Sequence, residues 1–442
     1  FSGISGSLKN CFVADGLLVI IRRRTGKIRP TNLYPHRIFP VRLRIMTSRP
    51  LATKQFLREP EMPENLDSGI TLALENLDEF IQTIIEPAAI EMEADVSLDQ
   101  AASRVRSESI KRGFFGKTQP AEYGGNPVSN LELTALRETL AAANNPLTSY
   151  VFGPGPGILH SASGELKERY LDPVLRGEKR GAFGFTEPDS AKRPTWARLN
   201  ESESELTING QKSYVTGGKT CDFVSVLVNV ERHDSVKAGT AMVVIDRQAE
   251  GLVIDREFSS MEGGGHVSML FNDVQVPVAQ VIGNIGEGMP RALGNIGNVR
   301  MMVAAEAVGI CSWVIDYIEQ HLQAPHRSGT PLGDREGVRL RLADMRVETY
   351  VARSALYRTA RLVDGPENSV NEIIATKIFC TEAVGRVVDM AVQLAGGQAL
   401  VVGHPLEKLY RKVRSMRLIE GASDLLRINL VKGKLELGKG RL

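Results

Sequence analysis

Apolar residues between about 60 and 180 recur at the spacing of amphipathic helices. One predicted helix has an apolar face of Ile70, Leu72, Leu74, Leu77, Phe80, Ile81 and Ile84. A second has an apolar face of Leu131, Leu133, Leu136, Leu140 and Ala141. Pro120, Gly124-Gly125 and the run Gly153-Pro-Gly-Pro-Gly157 interrupt this pattern and predict loops. We therefore expect an N-terminal all-α domain over residues 60–180.

The hydrophobic period changes to two between about 181 and 288, as is typical of strands. The predicted strands are 206–215, 221–230, 240–246, 252–256 and 267–276. The first of them contains Asn209-Gly210, which is the strongest short signal for a hairpin turn. We expect a small antiparallel β-domain over 181–288.

From about residue 289 the helical period returns and continues to the end of the chain. The predicted helices are 299–322, 338–363, 370–394 and 406–418, followed by one around 423–435. Long helices joined by short loops indicate a bundle, here over 289–442. The expected fold class is therefore α+β, with an N-terminal all-α domain, a central antiparallel β-domain and a C-terminal four-helix-bundle-like α domain.

Charge is distributed unevenly along the chain. Residues 1–59 hold twelve Lys or Arg against only Asp15 and Glu59, so this segment carries +10 of a total of +2 and the remainder carries −8. An Arg-rich, acid-poor segment is typical of an organellar transit peptide, and translated upstream sequence with a start at Met46 is the other interpretation. The first interpretation places the protein in the mitochondrial matrix, whereas the second, in a bacterium, places it in the cytoplasm.

Several classes of protein and site are not indicated. The small net charge argues against a nucleic-acid partner. The apolar run 12–21 is too short to span a membrane, and no other stretch of about 20 apolar residues stands out. Four scattered cysteines suggest neither disulfides nor zinc, and no metal site is expected. Gly218-Lys219-Thr220 lacks the earlier glycine of a phosphate-binding loop, and no glycine-rich stretch lies in a βαβ unit.

A family resemblance goes further than the periodicity. The motifs that carry it, in order, are Lys111-Arg-Gly-Phe-Phe-Gly116, Glu122-Tyr-Gly-Gly125, Gly184-Phe-Thr-Glu-Pro188, Phe271-Asn-Asp-Val-Gln-Val-Pro277, Gln393-Leu-Ala-Gly-Gly397 and Glu420-Gly421. With these motifs and its α–β–α order, the chain resembles the acyl-CoA dehydrogenase family from residue 60 onward. The resemblance implies an FAD enzyme that desaturates a fatty acyl-CoA in β-oxidation.

The resemblance also implies residues that bind FAD. They are Phe183, Phe185, Thr186, Tyr214, Val215, Thr216, Gln393, Gly396, Gly397, Ala422 and Asp424. Pro325 and Ser328 stand where the family has an Arg and a Phe against the neighbour's FAD, and Arg327 lies close enough to replace the Arg. In relatives Thr216 lies near flavin N5, and the segment equivalent to 393–397 reaches the FAD of a neighbouring subunit. We therefore expect a homotetramer or homodimer. Taken alone, 186–188 would be an ordinary turn and 214–216 an ordinary strand end.

The pivotal residue implied by the resemblance is Glu420, as the base that removes the α-proton of the thioester. Some relatives carry this base at the position of Val299, which cannot take a proton. Arg300 and Gly421 are expected near the substrate. Taken alone, Glu420 would be an exposed carboxylate before a helix.

Residues 191–193 depart from the family, which usually has Gly-Ser-Asp there. Lys192 cannot reproduce the usual serine contact to CoA, so it is expected either to bind an acidic group of the substrate or to lie in a solvated loop. The expected electron acceptor is an electron-transfer flavoprotein. An acyl-CoA oxidase, a flavin enzyme acting on a non-CoA substrate, and a non-catalytic CoA-ester binding protein remain alternatives.

Overall fold

The computed structural model describes residues 66–93, 96–263, 265–366 and 368–436, together with two short antiparallel strands, Val13–Ala14 and Leu17–Leu18. The chain divides into two units, Phe1–Met46 and Thr47–Leu442. Apart from that strand pair, the predicted extension over 1–59 lies outside the described residues. All features below belong to the second unit.

The N-terminal region is helical, as predicted. Its main helices are α1 (Ser68–Phe80), which continues through Ile81–Ile85 into Glu86–Glu93, α2 (Leu98–Lys111) and α3 (Asn130–Ala142). Asp67 caps α1, because its carboxylate accepts a hydrogen bond of 2.8 Å from the Ile70 N–H. The apolar faces meet in one core that includes Leu77, Phe80, Val105 and Leu136. The second predicted apolar face is confirmed, and the first is confirmed except for Leu72, which is 57% exposed. α2 was not predicted individually.

A seven-stranded sheet follows. Its strands are β1 (Gly181–Gly184), β2 (Trp196–Leu199), β3 (Glu205–Thr216), β4 (Phe223–Glu231), β5 (Lys237–Asp246), β6 (Leu252–Ser259) and β7 (Gly265–Pro277). The order is β1-β4-β2-β3-β7-β6, with β5 on the other edge of β4. The five predicted strands are confirmed, and β1 and β2 were missed because each has only four residues.

The sheet is mixed rather than purely antiparallel, which corrects one expectation. β1 and β2 lie end to end along one edge of β4, and both run parallel to it. The two strands are therefore one line of chain interrupted by residues 185–195. This excursion leaves the sheet at Phe185 and Thr186, which the resemblance assigns to the cofactor.

The predicted hairpin at Asn209-Gly210 is wrong, because β3 continues through it with a shift of register. Asn209 instead reaches β7, where its Nδ2 donates to Asp273 Oδ1 at 2.8 Å. Gly210 has φ +135°, and a Cβ there would lie 2.7 Å from Thr195 Cα. Glycine is therefore needed for a close approach inside the sheet, not for a turn.

The C-terminal region is a bundle of long helices. They are α4 (Gly288–Gln323), α5 (Glu336–Val363), α6 (Val370–Ala395), α7 (Pro405–Ser415) and α8 (Ser423–Leu435). By length and composition α4 could cross a membrane, which differs from the expectation that no such segment stands out, but 72% of its most apolar window is buried inside the fold. The helix predicted over 406–418 ends at Ser415, where the chain begins the turn that carries Glu420.

Candidate active site

Glu420 lies in the short turn between α7 and α8 and has an unusual backbone. Its φ is +54°, and Gly421 follows with φ +101°. The left-handed region costs a residue with a Cβ about 1 kcal/mol or more. At Gly421 a Cβ would also lie 3.0 Å from Leu426 Cδ2. The neighbouring structure must therefore hold this turn in place.

Two cations hold it, one from each long helix. Arg300 of α4 donates from Nε to the Glu420 carbonyl oxygen at 3.0 Å. Lys377 of α6, which is fully buried, donates from Nζ to the Gly421 carbonyl oxygen at 2.9 Å. Both cations are thus bound to backbone oxygens. The half-buried Glu420 carboxylate forms no hydrogen bond or ion pair with any described residue.

The electrostatics of this turn follow from that arrangement. Burial raises the pKa of Glu420, and the charges of Arg300 and Lys377 oppose the shift without cancelling it. Burial, helped by the charge of Arg300, lowers the pKa of Lys377 to about 8. A carboxylate without a donor in a partly dry site is the arrangement expected of a general base.

The residues predicted to bind the flavin ring meet where the 185–195 excursion leaves the sheet. The Ser213 N–H donates to the Thr186 carbonyl oxygen at 2.8 Å, which places Thr186 beside the end of β3. The rings of Phe183 and Phe185 stack with centroids 5.9 Å apart. Two predicted segments that are distant in sequence are therefore adjacent in the fold.

The end of β3 presents a flat, exposed aromatic surface. Tyr214 is 64% exposed with φ +59°, and its ring contacts Phe258 edge-on at 5.5 Å. Thr216 is exposed on the same side of the strand, where its Oγ1 lies 3.2 Å from His266 Nδ1. Val215 between them is buried in the sheet core, so only its backbone is available to a cofactor. An exposed aromatic ring beside an exposed hydroxyl fits a planar, polar-edged group such as the flavin ring.

An ion pair between the buried Lys212 and the partly buried Glu187 was not predicted. Lys212 Nζ donates to Glu187 Oε1 at 2.7 Å and to the Phe185 carbonyl oxygen at 3.1 Å. Glu187 Oε1 also accepts from the Thr195 N–H at 2.8 Å, which closes the excursion. Lys377 was missed in the same way. The sequence signal for such a buried lysine is a single Lys at an inward-facing position of an otherwise apolar pattern. Lys377 stands between Ile374 and Ile378, and Lys212 follows Gly210 by two residues.

Several predicted cofactor residues lie far from the Glu420 turn or at exposed positions of the same chain. Gln393 lies sixteen residues beyond Lys377 on α6, a distance of about 24 Å along the helix axis. Gly396 and Gly397 follow it at the exposed end of α6, and Arg327 is exposed in the loop between α4 and α5.

Three further predicted residues lie on exposed or terminal positions. Lys192 is exposed on the 185–195 excursion and has no ion-pair partner among the described residues, whereas its neighbour Arg193 binds Glu231 at 2.8 Å. Ala422 is the N-terminal cap position of α8, and Asp424 is exposed in its first turn.

A cavity of about 500 Å³ lies between residues 149–159, β1 and the start of α4. Phe183 lines it, as does Asn295, which precedes Arg300 by five residues on α4. Glu420 does not line it. The cavity thus adjoins both the segment that is predicted to bind the flavin and the helix that carries Arg300.

Two family descriptions match the chain: "Acyl-CoA dehydrogenase, N-terminal domain" over residues 71–178 and "Acyl-CoA dehydrogenase, C-terminal domain" over 286–435. A similar protein is the 3-(aryl)acrylate reductase of Clostridium sporogenes, 26% identical over 81% of this chain and 96% of its own. Another is the caffeyl-CoA reductase-Etf complex subunit CarC of Acetobacterium woodii, 24% identical over 73% of this chain and 86% of its own.

A similar solved structure is the acyl-CoA dehydrogenase complexed with FAD from Bacillus anthracis. It has a TM-score of 0.71 at 23% identity and covers 85% of this chain and 69% of its own. Together the matches confirm the family resemblance, the α+β fold class, the oxidoreductase assignment and FAD as the cofactor.

Proposed function

Because the chain belongs to the acyl-CoA dehydrogenase family, we propose that it converts an acyl-CoA thioester to the trans-2-enoyl-CoA, with Glu420 as the base. The observation that carries this proposal is the half-buried Glu420 carboxylate, which no described donor neutralises although two cations lie beside it. When bound, FAD supplies the acceptor for the β-hydride. The residues of the chain supply the base, its position and its partial burial.

Glu420 removes the α-proton, which is a demanding step because a thioester α-carbon is a very weak acid. The raised pKa of Glu420 makes its carboxylate a stronger base than a solvated one. The Glu420 N–H donates to no described residue, so it is free to bond the thioester oxygen as negative charge develops there. Arg300 and Lys377 fix the turn, so the carboxylate and this N–H keep one relative position.

The electron acceptor we propose is an electron-transfer flavoprotein. Support comes from the similar subunit named as part of a caffeyl-CoA reductase-Etf complex. Both similar proteins named above are called reductases, and the same residues serve the reverse direction, with protonated Glu420 donating to the α-carbon. One of these names mentions an acrylate without CoA, so a non-CoA substrate is the second candidate.

We also propose a homodimer or homotetramer in which the end of α6 serves the cofactor of a second copy. The separation of about 24 Å between Gln393 and Lys377 supports this arrangement. Directly after Gly397, Leu400, Val401 and Val402 are 70%, 62% and 83% exposed, an apolar surface that a second copy would cover. The proposed location is the mitochondrial matrix if residues 1–45 are a transit peptide, and the cytoplasm otherwise.

Anaerobic titration of the FAD-loaded protein with acyl-CoAs of graded chain length tests the function. The oxidised flavin absorbance is expected to bleach with at least one acyl-CoA, and the enoyl-CoA product is expected by mass spectrometry. If no acyl-CoA bleaches the flavin and a CoA-free arylpropanoate does, the substrate class is the second candidate.

A further inference from the structure

The turn that carries Glu420 is closed by a hydrogen bond between its two ends. The N–H of Ser423, the first residue of α8, donates to the Arg417 carbonyl oxygen at 2.9 Å. Glu420 lies midway between these two residues. The two cations described above bind the second half of the turn, at the carbonyl oxygens of residues 420 and 421. The position of Arg417 therefore sets where the first half begins.

Arg417 packs against a glycine in the interior of α6. Gly385 lies well inside this helix (Val370–Ala395), where glycine is destabilising relative to alanine. A Cβ at Gly385 would overlap Arg417 Nη2 and lie 3.2 Å from its Cζ. Because only glycine leaves this space, the guanidinium can reach the backbone of α6. The glycine therefore serves a contact with the turn rather than the helix itself.

Fit and charge hold the guanidinium in this place. Arg417 Nε is buried and has no hydrogen-bond partner among the described residues. Nearby on α6, Glu382 accepts a hydrogen bond of 2.8 Å from Arg427 of α8. That bond lowers the pKa of Glu382, burial opposes the shift, and the charges of Arg427 and Arg417 add to it. Since Arg427 occupies this carboxylate, the place of Arg417 is set by its fit against Gly385.

We propose that Arg417 and Gly385 form a third anchor of the turn and act as positioning residues for the Glu420 carboxylate. Lys377 and Gly385 are eight residues apart on α6, and they contact the turn at points about 12 Å apart along the helix axis. With Arg300 of α4 they give three points of contact, which are enough to fix both the position and the orientation of a rigid group. This inference rests on the proposed function, because the position of Glu420 matters to the reaction only if Glu420 is the base.

Gly385→Ala tests the anchor, because alanine suits a helix better than glycine except where its Cβ meets a neighbour. For the FAD-loaded protein, kcat for anaerobic flavin reduction by acyl-CoA is expected to fall by about tenfold or more, since small displacements of a reacting group are costly. KM is expected to stay within about twofold, with the temperature of thermal unfolding close to that of the unmodified protein. An unmodified kcat, whatever the unfolding temperature, would overturn the inference.

The matched control for this variant is Gly433→Ala. Gly433 lies in α8, and a Cβ there would have no neighbour closer than 4.0 Å. The control therefore carries the same gain in helix propensity without the contact, and its kcat is expected to equal that of the unmodified protein. An equal fall in kcat in both variants would overturn the inference, because the loss would then not depend on Arg417.

Arg417→Gln provides a rescue. Glutamine ends before the Cζ and Nη atoms that the added Cβ would meet, so it removes the overlap together with the anchor. Alone it is expected to lower kcat by about threefold through the lost contact. Adding Gly385→Ala to it is expected to change kcat by less than about twofold, so the two effects are not additive. Arg414→Gln, at an exposed arginine of α7, is the control. Additive losses in the double variant would overturn the proposed pair.

Hydrogen–deuterium exchange gives a readout that does not depend on turnover. The Ser423 amide, which donates to the Arg417 carbonyl oxygen, is expected to exchange severalfold faster in Gly385→Ala than in Gly433→Ala or the unmodified protein. If no thioester reduces the flavin of the unmodified protein but this difference appears, the dehydrogenase proposal fails and the anchor stands. Equal exchange rates in the three proteins would overturn the anchor.

Discussion

Among the described residues, Lys212 and Lys377 are the buried lysines, and their arrangements with a nearby carboxylate are built in opposite ways. At the start of the 185–195 excursion, Lys212 binds the Glu187 carboxylate directly at 2.7 Å, with side chains 2% and 23% exposed. At the turn before α8, Lys377 and Arg300 bind the carbonyl oxygens of Gly421 and Glu420 and leave the Glu420 carboxylate without a donor. The cations are similar, but their acceptors differ.

The difference sets the pKa of each acid. Burial alone would raise the pKa of Glu187, but hydrogen bonds from Lys212 and Thr195 outweigh it, so the net pKa lies below its usual value. Burial raises the pKa of Glu420, and its two neighbouring charges reduce the rise only in part. A carboxylate saturated with donors is a poor base, whereas one that lacks donors is ready to accept a proton. The first arrangement stabilises the fold, and the second is suited to chemistry.

The largest expected effect that separates the two acids is on flavin reduction. Glu420→Gln keeps the size of the side chain and the Glu420 N–H but cannot accept a proton. The rate of flavin reduction by acyl-CoA is expected to fall by about 10²–10⁴-fold, with FAD binding unchanged, in anaerobic stopped-flow experiments. Glu187→Gln is the matched control, and reduction within tenfold of the unmodified protein in Glu420→Gln would show that another residue is the base.

A second variant tests whether a carboxylate at the position of Val299 can replace Glu420 as the base. Val299 is half-buried and directly precedes Arg300 on α4. Val299→Glu in the Glu420→Gln background is expected to restore part of the rate, since relatives place the base at that position. The absence of any recovery would restrict the base to the turn.

The next largest expected effect is a loss of stability when Lys212, the lysine paired with a carboxylate, is replaced. Lys212→Met leaves Glu187 buried without its counter-charge, which commonly costs about 3 kcal/mol of the free energy of unfolding. Urea unfolding followed by circular dichroism measures this loss. Adding Glu187→Gln is expected to recover part of it, because the orphaned charge is then removed. Full stability of Lys212→Met would show that the pair contributes little net energy.

The two acids differ in the direction of their pKa shift, because the pKa of Glu420 is raised and that of Glu187 is lowered. Glu420 must be ionised to act as a base, so the rate of flavin reduction is expected to rise with pH through its raised pKa. Lys377→Met removes a charge that opposes the rise, so the acid limb of the profile should move to higher pH. Since the folded pKa of Glu420 is raised, its contribution to stability is present at low pH and is lost as pH rises through the folded pKa. An unchanged acid limb in Lys377→Met would contradict this coupling.

The smallest effect is expected from the exposed cations of the 185–195 excursion. Arg193 is occupied by Glu231 at 2.8 Å and stacks over Trp196 at 4.6 Å, whereas Lys192 has no described ion-pair partner. Lys192→Ser is therefore expected to raise KM severalfold at unchanged kcat, and Arg193→Asp to change KM less. Steady-state kinetics at low salt measure both variants. A fall in kcat for Lys192→Ser would mean that this lysine acts in the chemistry.

Much of the fold follows from the sequence, because period-3.6 and period-2 patterns reflect one-sided burial within each element. The hairpin predicted at Asn209-Gly210 was wrong, because the glycine allows a close approach to Thr195 that only the tertiary structure creates. Lys212 and Lys377 were missed for the same reason, because their acceptors are distant in sequence. Glu420 was predicted only through the family resemblance. Its lack of donors depends on where α4 and α6 direct Arg300 and Lys377, which no local pattern records.

The turn that carries Glu420 connects two helices through hydrogen bonds. Arg300 is rooted in α4 and Lys377 in α6, and each is fastened to an adjacent carbonyl of the same turn. The distance between these two helices therefore determines the position of the Glu420 carboxylate. A side-chain change in the distant bundle core that spreads α4 and α6 by a fraction of an ångström would displace the base without unfolding the protein. Activity should then report on the packing of the bundle more sensitively than the melting transition does.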